Sequence, residues 1–296
     1  MILITGASGF IGKAVLVALQ ESYGYENVVA LTSAPIINCQ TLLHSSYNFS
    51  PDYFNDRGWG SICTIIHLGA FTPKHSSDAN DLSNCAGNIF STQKLLEAKL
   101  PNLKKIIFAS TLDVYKCDTV ITEETIIEPV SLYGNSKLYC ERMIDIWANK
   151  KNIVHQILRI GHVYGPGEEE YQKIIPLSMY KLLKDQELEI WGTGEEVRSF
   201  IYLNDVVKAL LKSIQLEKFI GPINLVGENQ ISVKDLINLL INMHGSSVQP
   251  VTRQLQAPGR NYIFNNDKMK RHLLASETPL SEGLAAEFDY MRNLVK

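Results

Sequence analysis

Several things are scarce in this chain of 296 residues. The five cysteines, Cys39, Cys63, Cys85, Cys117 and Cys140, form no C-x-x-C pair. That argues against a zinc site or a disulfide framework and fits thiols in a reducing cytoplasm. No apolar run approaches the roughly 18 residues of a membrane span. The apolar N-terminus lacks a basic region and is broken by glycines and Lys13, so it does not read as a signal peptide. Positive charge is not in excess: the formal net charge is −3. Aromatic residues do not alternate with basic ones, so neither nucleic acid nor an anionic membrane is an expected partner. His44, His67, His75, His155, His244 and His272 show no metal spacing, and no metal is expected. There is no internal repeat and no low-complexity segment.

What is present is concentrated at the start. An apolar run, Ile2 to Ile4, gives way to Gly6, Gly9 and Gly12, and an apolar helical pattern follows at Ile11, Val15, Leu16 and Leu19. Strand, glycine turn and helix in that order present unpaired N–H groups and a helix's positive end to a phosphate. Glycine is needed where a side chain would block the pyrophosphate or the strand–helix contact. The spacing is G-x-x-G-x-x-G and not G-x-G-x-x-G. Three glycines could also serve an ordinary turn; the flanking strand and helix favour dinucleotide binding.

Short β-rich runs then alternate with helical patterns. Strands are expected at Met1–Ile4, Val28–Leu31, Thr64–Leu68, Lys105–Ala109 and His155–Arg159. Helices are expected at Lys13–Glu21, Ser83–Lys99 and Ser136–Asn149. The nearly continuous apolar runs at 64–68 and 105–109 read as strands buried on both faces. The alternation predicts an α/β fold, a Rossmann-type doubly wound parallel sheet with a smaller C-terminal α/β substrate-binding lobe. The dinucleotide-binding domain is expected over 1–160, also receiving 197–216. After Gly165-Pro166-Gly167 and Glu168-Glu169-Glu170 the pattern loosens, and 161–296 is expected to be mainly the substrate lobe.

Ligands of such sheets lie beyond the carboxyl ends of the strands. Ser110 and Thr111 follow one strand, and Tyr133 and Lys137 open the next helix. Four residues apart on a helix, Tyr133 and Lys137 share a face. A nearby ammonium stabilises a phenolate and lowers its pKa from near 10. A tyrosine so tuned can exchange a proton with a substrate hydroxyl or carbonyl, while a nicotinamide exchanges hydride. Thr111 can hydrogen-bond the same oxygen. Alone, Y-x-x-x-K would read as a solvated helix pair; after a glycine turn and a Ser-Thr strand end it reads as chemistry.

At these residues the chain resembles the extended short-chain dehydrogenases/reductases, the NAD(P)-dependent nucleotide-sugar epimerases, dehydratases and reductases. The resemblance runs from residue 2 to about residue 272. Its carriers are Thr5–Gly12, Ile66–Ala70, Asn88 in Asn-Ile-Phe-Ser-Thr, Ala109–Thr111 with Val114-Tyr115, Tyr133–Lys137, Arg159–Gly167 and Arg198–Val207. It implies that Gly6, Ser8, Gly9, Phe10, Ile11 and Gly12 wrap the cofactor's pyrophosphate side. Leu68, Gly69, Ala70 and Asn88 would line the cofactor. Thr111, Tyr133 and Lys137 would be catalytic, with Lys137 also holding the nicotinamide ribose. Arg198 and Arg260 would grip the substrate's diphosphate through the bidentate guanidinium fork. For Arg198 the alternative is a surface ion pair with Glu195 or Glu196. A homodimer is implied by analogy.

Four departures qualify the resemblance. No Asp, Glu, Lys or Arg occurs from Asn27 to Pro51, where the family places a ribose-binding aspartate. Thr32 and Ser33 stand there instead, so NADP(H) is favoured over NAD(H) as cofactor. Leu112 replaces the acid that sugar dehydratases carry beside the threonine, leaving Asp113 as the remaining candidate base or a solvated or capping residue. His162 replaces the usual asparagine before Val-Tyr-Gly-Pro, as a substrate ligand or as a packing histidine. Lys116 replaces a glycine, which suggests a remodelled loop.

The expected function is an NADP(H)-dependent reductase of an NDP-4-keto-6-deoxyhexose, acting in the cytoplasm. An NAD-dependent nucleotide-sugar 4-epimerase is the alternative. A dehydratase and a non-catalytic nucleotide sensor rank below both.

Overall fold

The computed structural model describes residues 1–116, 120–228, 230–254, 261 and 263–295. Two compact units emerge. The first comprises Met1–Lys116, Ile126–Ile160 and Val207–Ile223; the second comprises Cys117–Thr125, Gly161–Val206 and Asn224–Lys296.

The chain begins with β1 (Ile2–Thr5), α1 (Phe10–Tyr23), β2 (Val28–Thr32), β3 (Gln40–Leu43) and β4 (Thr64–His67). It continues with α2 (Leu82–Glu97), β5 (Lys105–Thr111), α3 (Leu132–Lys151) and β6 (Val154–Ile160). Next come β7 (His162–Tyr164), α4 (Ile174–Leu183), β8 (Glu189–Trp191), β9 (Val197–Tyr202) and α5 (Leu203–Ser213). The last elements are β10 (Ile223–Leu225), β11 (Gln230–Ser232), α6 (Val233–His244), β12 (Val251–Arg253), α7 (Asp267–His272) and α8 (Leu280–Leu294).

The main sheet has seven strands in the order β10-β6-β5-β4-β1-β2-β3. The pairs β1–β2, β1–β4, β2–β3, β4–β5 and β5–β6 are parallel. This is the α/β Rossmann-like fold. The strand order reverses between β1 and β4, where Thr5 pairs with His67, so the ligand crevice of such a sheet opens past these two residues. The central strands are mostly apolar because helices cover both faces; β1, β2 and β4 are buried at every position. Leu3, Val29, Leu31, Ile65, Ile106 and Phe108 meet Leu95 of α2 and Ile144 of α3 in one core.

The sequence pattern misses β3. It is a four-residue strand at the sheet's edge, half exposed, so it carries neither an apolar run nor an alternation. The helices α1, α2 and α3 start three, one and four residues earlier than apolar periodicity suggests, and side-chain caps set the starts of α2 and α3. Asp81 accepts from Asn84 N at 2.8 Å, and Ser131 accepts from Gly134 N at 3.0 Å.

The second unit holds a three-stranded sheet, β11-β9-β7, and a parallel pair, β12-β8. Its core gathers Tyr164, Met179, Phe200, Leu236, Leu284 and Phe288. Among the described residues, no helix is long and apolar enough to cross a membrane.

Candidate active site

The glycine turn joins β1 to α1. Gly6 has φ 71°, and a Cβ there would lie 2.6 Å from Gly69 N, on the loop after β4. A Cβ on Gly12 would overlap the Gly6 carbonyl oxygen. These two glycines serve the fold itself. Gly9 does not: its φ is −79°, and a Cβ would meet only Gly6 O, at 3.4 Å. Ser8 and Gly9 are exposed, Gly9 supplies no side-chain cap, and the first turn of α1 carries no acid. The helix therefore offers its N–H groups and positive end to an outside anion, with room for that anion to approach. A dinucleotide pyrophosphate fits this cradle.

The crevice wall is fixed by a buried chain of hydrogen bonds. Thr5 Oγ1 accepts from Gly69 N at 2.8 Å and lies 2.8 Å from His67 Nδ1. His67 Nε2 lies 3.0 Å from Thr92 Oγ1, which donates to Asn88 O at 2.9 Å. These partners require Nδ1 to accept and Nε2–H to donate. Burial, with the Lys137 charge adding to it, pushes His67 down to about 3. His67 is therefore a neutral structural residue. Asn88 is also buried: its amide bonds Phe71 N, Phe71 O and Ser136. It holds the 68–71 loop onto α3, so Leu68, Gly69 and Ala70 keep their place beside Gly6.

At the end of β2, Thr32 donates its hydroxyl to Ala34 O at 3.0 Å. That side chain is turned back into the chain, and of the two hydroxyl residues Ser33 is the exposed one.

Thr111 ends β5 and caps the short turn Leu112–Val114 by accepting from Asp113 N at 3.2 Å. The start of α3 presses on that turn: Gly134 is so close to the Asp113 carbonyl that a side chain would clash. The same contact brings Tyr133 to the end of β5. Tyr133 is buried, and Phe71 meets it edge-on at 6.5 Å. Lys137 is buried one turn later, with Nζ 4.3 Å from the Phe108 ring centre. Burial pushes its pKa down to about 8, against the pull of Cys140 and Glu141. Asp113 is solvent-exposed, yet enough protein surrounds it to push its carboxyl up, opposed by a hydrogen bond with Thr111. Lys116 reaches outward to Glu128 at 3.0 Å.

Four further residues form a buried network beside Thr111. Arg159 donates Nε to Glu141 Oε1 at 3.0 Å and Nη2 to Oε2 at 2.7 Å. Ser110 donates to Glu141 Oε1 at 2.5 Å, and Arg159 Nη1 donates to the Tyr115 hydroxyl at 2.5 Å. Sequence reasoning passed over Glu141. Its signal was the spacing 133, 137, 141, which continues the Tyr-Lys face by one more turn.

In the second unit, β7 and β9 pair in parallel with His162 opposite Phe200. Arg198 lies two residues earlier on β9 and donates to Val197 O at 3.0 Å. Burial first, then the charges of Lys173 and Arg198, pushes His162 down to about 4. The structure thus gathers a neutral histidine and Arg198 on one small sheet, with Lys173, at the start of α4, near the histidine. Glu195, a candidate partner for Arg198, lies 3.9 Å from Lys234. Arg260 lies outside the described residues. Among the described residues, no three His, Cys, Asp or Glu side chains are placed to hold a metal.

A family model described as the NAD dependent epimerase/dehydratase family matches residues 2–227. The chain belongs to this family. Among curated relatives, an uncharacterized UDP-glucose epimerase of Bacillus subtilis is 28% identical, covering 99% of this chain and 98% of that protein. The dTDP-4-dehydro-6-deoxyglucose reductase of Escherichia coli is 30% identical, covering 81% and 80%. Among solved structures, UDP-glucuronic acid 4-epimerase from Bacillus cereus, in complex with UDP-glucuronic acid and NAD, superposes with a TM-score of 0.85. It is 29% identical and 99% of each chain is covered. The protein is an NAD(P)-dependent enzyme of the extended short-chain dehydrogenase type, within the nucleotide-sugar epimerase, dehydratase and reductase group.

Proposed function

We propose that this enzyme reduces an NDP-4-keto-6-deoxyhexose with NADP(H). Bound at the glycine turn, the cofactor supplies hydride. Tyr133 delivers the proton to the ketone oxygen, Thr111 hydrogen-bonds that oxygen, and the Lys137 ammonium stabilises the phenolate left behind. Lys137 also holds the nicotinamide ribose. Arg198 grips the diphosphate, with His162 as a neutral donor beside it and Arg260 as a second cation.

The observation that carries the reductase reading is the end of β2. A reductase must exchange its cofactor every turnover, whereas an epimerase regenerates and retains it. A carboxylate on the adenosine ribose gives a charge-assisted bond of about 1.5–3 kcal/mol, against about 0.5–1.5 kcal/mol for a neutral one. Here only neutral groups stand at that position, and the Thr32 hydroxyl is already engaged with Ala34. The grip is weaker, and the absent carboxylate leaves room for a 2′-phosphate. Leu112, buried beside Thr111, lacks the acid that dehydration needs.

A 4-epimerase is the second reading, favoured by the end-to-end likeness to 4-epimerases. Incubation with dTDP- and UDP-sugars separates the two. Stoichiometric loss of NADPH absorbance with a 4-keto sugar supports the reductase; conversion of a UDP-hexose without added cofactor contradicts it.

The partner reading is a homodimer through α2 and α3. Leu132, Tyr139 and Ile146 recur every seven residues along α3 and are 40%, 56% and 70% exposed, with Leu82 and Phe90 exposed on α2. Sedimentation should give twice the chain mass, and Ile146→Lys should halve it. Free buried thiols at Cys39, Cys85 and Cys140 support a cytoplasmic location.

A further inference from the structure

The Glu141–Arg159 pair is nearly sealed from solvent, at 3% and 2% exposure. Burying two charges costs so much solvation that apolar residues of similar volume often stabilise a fold as well or better. Stability alone therefore gives no reason for this pair. Its position does. Glu141 lies one turn beyond Lys137 on α3, and Arg159 reaches it from β6, two strands from the Thr5–His67 crevice. Ser110 and Tyr115, the residues on either side of Thr111 and its turn, are both tied to the pair.

We propose that Glu141 and Arg159 are positioning residues whose matched charges cancel at Tyr133 and so keep the pH range over which it exchanges its proton from being displaced in either direction. The proposal rests on the reading of Tyr133 as the acid/base. Among the described residues, the titratable groups on the elements packed about the Tyr133–Lys137 face are Glu141 and Cys140 from α3, Arg159 from β6, neutral His67 from β4, Asp113 and Tyr115 from the segment after β5, and Asp78 and Asp81 from the turn before α2, whose Asn80 accepts from Leu132 N. Only Glu141 and Arg159 among them form a matched pair of opposite charges. Intact, the pair leaves little net field at Tyr133. With Glu141 neutralised, Arg159 is uncompensated and favours the phenolate. With Arg159 neutralised, Glu141 opposes it. Eight residues of helix separate Glu141 from Tyr133 by about 12 Å. At an effective dielectric of about 20, one unpaired charge there moves the phenol's pKa by on the order of one pH unit.

The test is an ultraviolet titration of phenolate in the NAD-loaded enzyme. Each background is measured with and without Tyr133→Phe, and the difference isolates Tyr133. Glu141→Gln should lower its midpoint by about one unit, and Arg159→Met should raise it by a similar amount. The double variant should return close to the native value. Structural damage would not move the singles in opposite directions. Glu141→Asp and Arg159→Lys keep the charges while breaking the two-pronged geometry, and they keep the test open should the first variants misfold. Their midpoints should not move. Unshifted single variants, shifts of one sign, or a full-unit shift in either conservative variant overturns the proposal. Full turnover by Tyr133→Phe would instead remove the acid/base reading. Lost turnover with unmoved titrations would remove this inference alone.

Discussion

A side chain on Gly12 would run into the carbonyl oxygen of Gly6, while one on Gly9 would only touch that oxygen at 3.4 Å. Glycines equally spaced in sequence thus answer to different demands. Gly12 is required by the protein's own backbone, whereas a Cβ on Gly9 would meet only an ordinary contact there. Gly9→Ala should therefore cost about 1 kcal/mol or less as a changed N-cap, a shift of a few degrees in Tm, while dinucleotide affinity falls at least about tenfold. Gly12→Ala should cost about 3 kcal/mol or more through overpacking against backbone. Thermal melts and NAD titrations of both variants check the contrast.

The end of β2 carries a second prediction. Ser33 is exposed, and the Thr32 hydroxyl is committed to Ala34. Ser33→Asp would place a carboxylate where a 2′-phosphate would lie. NADPH binding should weaken about tenfold or more, and NADH binding should hold or improve. Fluorescence titration with each cofactor measures the ratio.

His67 gives an acid limit to stability. Folded, it titrates at about 3; unfolded, at about 6.5. Between these values the unfolded chain binds a proton that the folded one refuses. Stability from this group is whole above about pH 6.5 and falls as the pH drops towards 3. Melts of the native protein should show Tm declining over that window, and His67→Gln should flatten the decline even where it lowers Tm overall.

Glu287 gives the opposite slope. It lies on α8 and is buried, and Glu168, also buried, lies in the turn after β7. Desolvation, reinforced by the Glu168 charge, pushes the Glu287 carboxyl well up. The folded protein keeps a proton there that the unfolded chain releases above about pH 4.3. Stability from this group therefore falls as pH rises. Glu287→Gln should raise Tm, by more at pH 8 than at pH 5.

The sequence was most legible where one local pattern meets one physical demand. The apolar runs at 64–68 and 105–109 are strands of the sheet because burial on both faces leaves a continuous signature. The strand β3 left none, being short, half-exposed and defined by its pairing with β2. Tyr133 and Lys137 lie one turn apart and buried on α3, the placement that their spacing predicts. The Glu141–Arg159 pair was not, because its partners are 18 residues apart and meet only once α3 lies on β6. Asn88 was legible as a notable residue, though its amide serves the Phe71 loop and Ser136. Cofactor choice is the least legible, since it depends on groups that Thr32 and Ser33 do not supply.

The central claim is that Tyr133 moves the proton in a nicotinamide-linked reaction on a nucleotide sugar. Its most direct test is NADPH oxidation by the native enzyme and by Tyr133→Phe, with a dTDP-4-keto-6-deoxyhexose as substrate and cofactor affinity measured alongside. NADPH binding should be unchanged in the variant and the rate about 10²–10⁴-fold lower. Native turnover in Tyr133→Phe would contradict it.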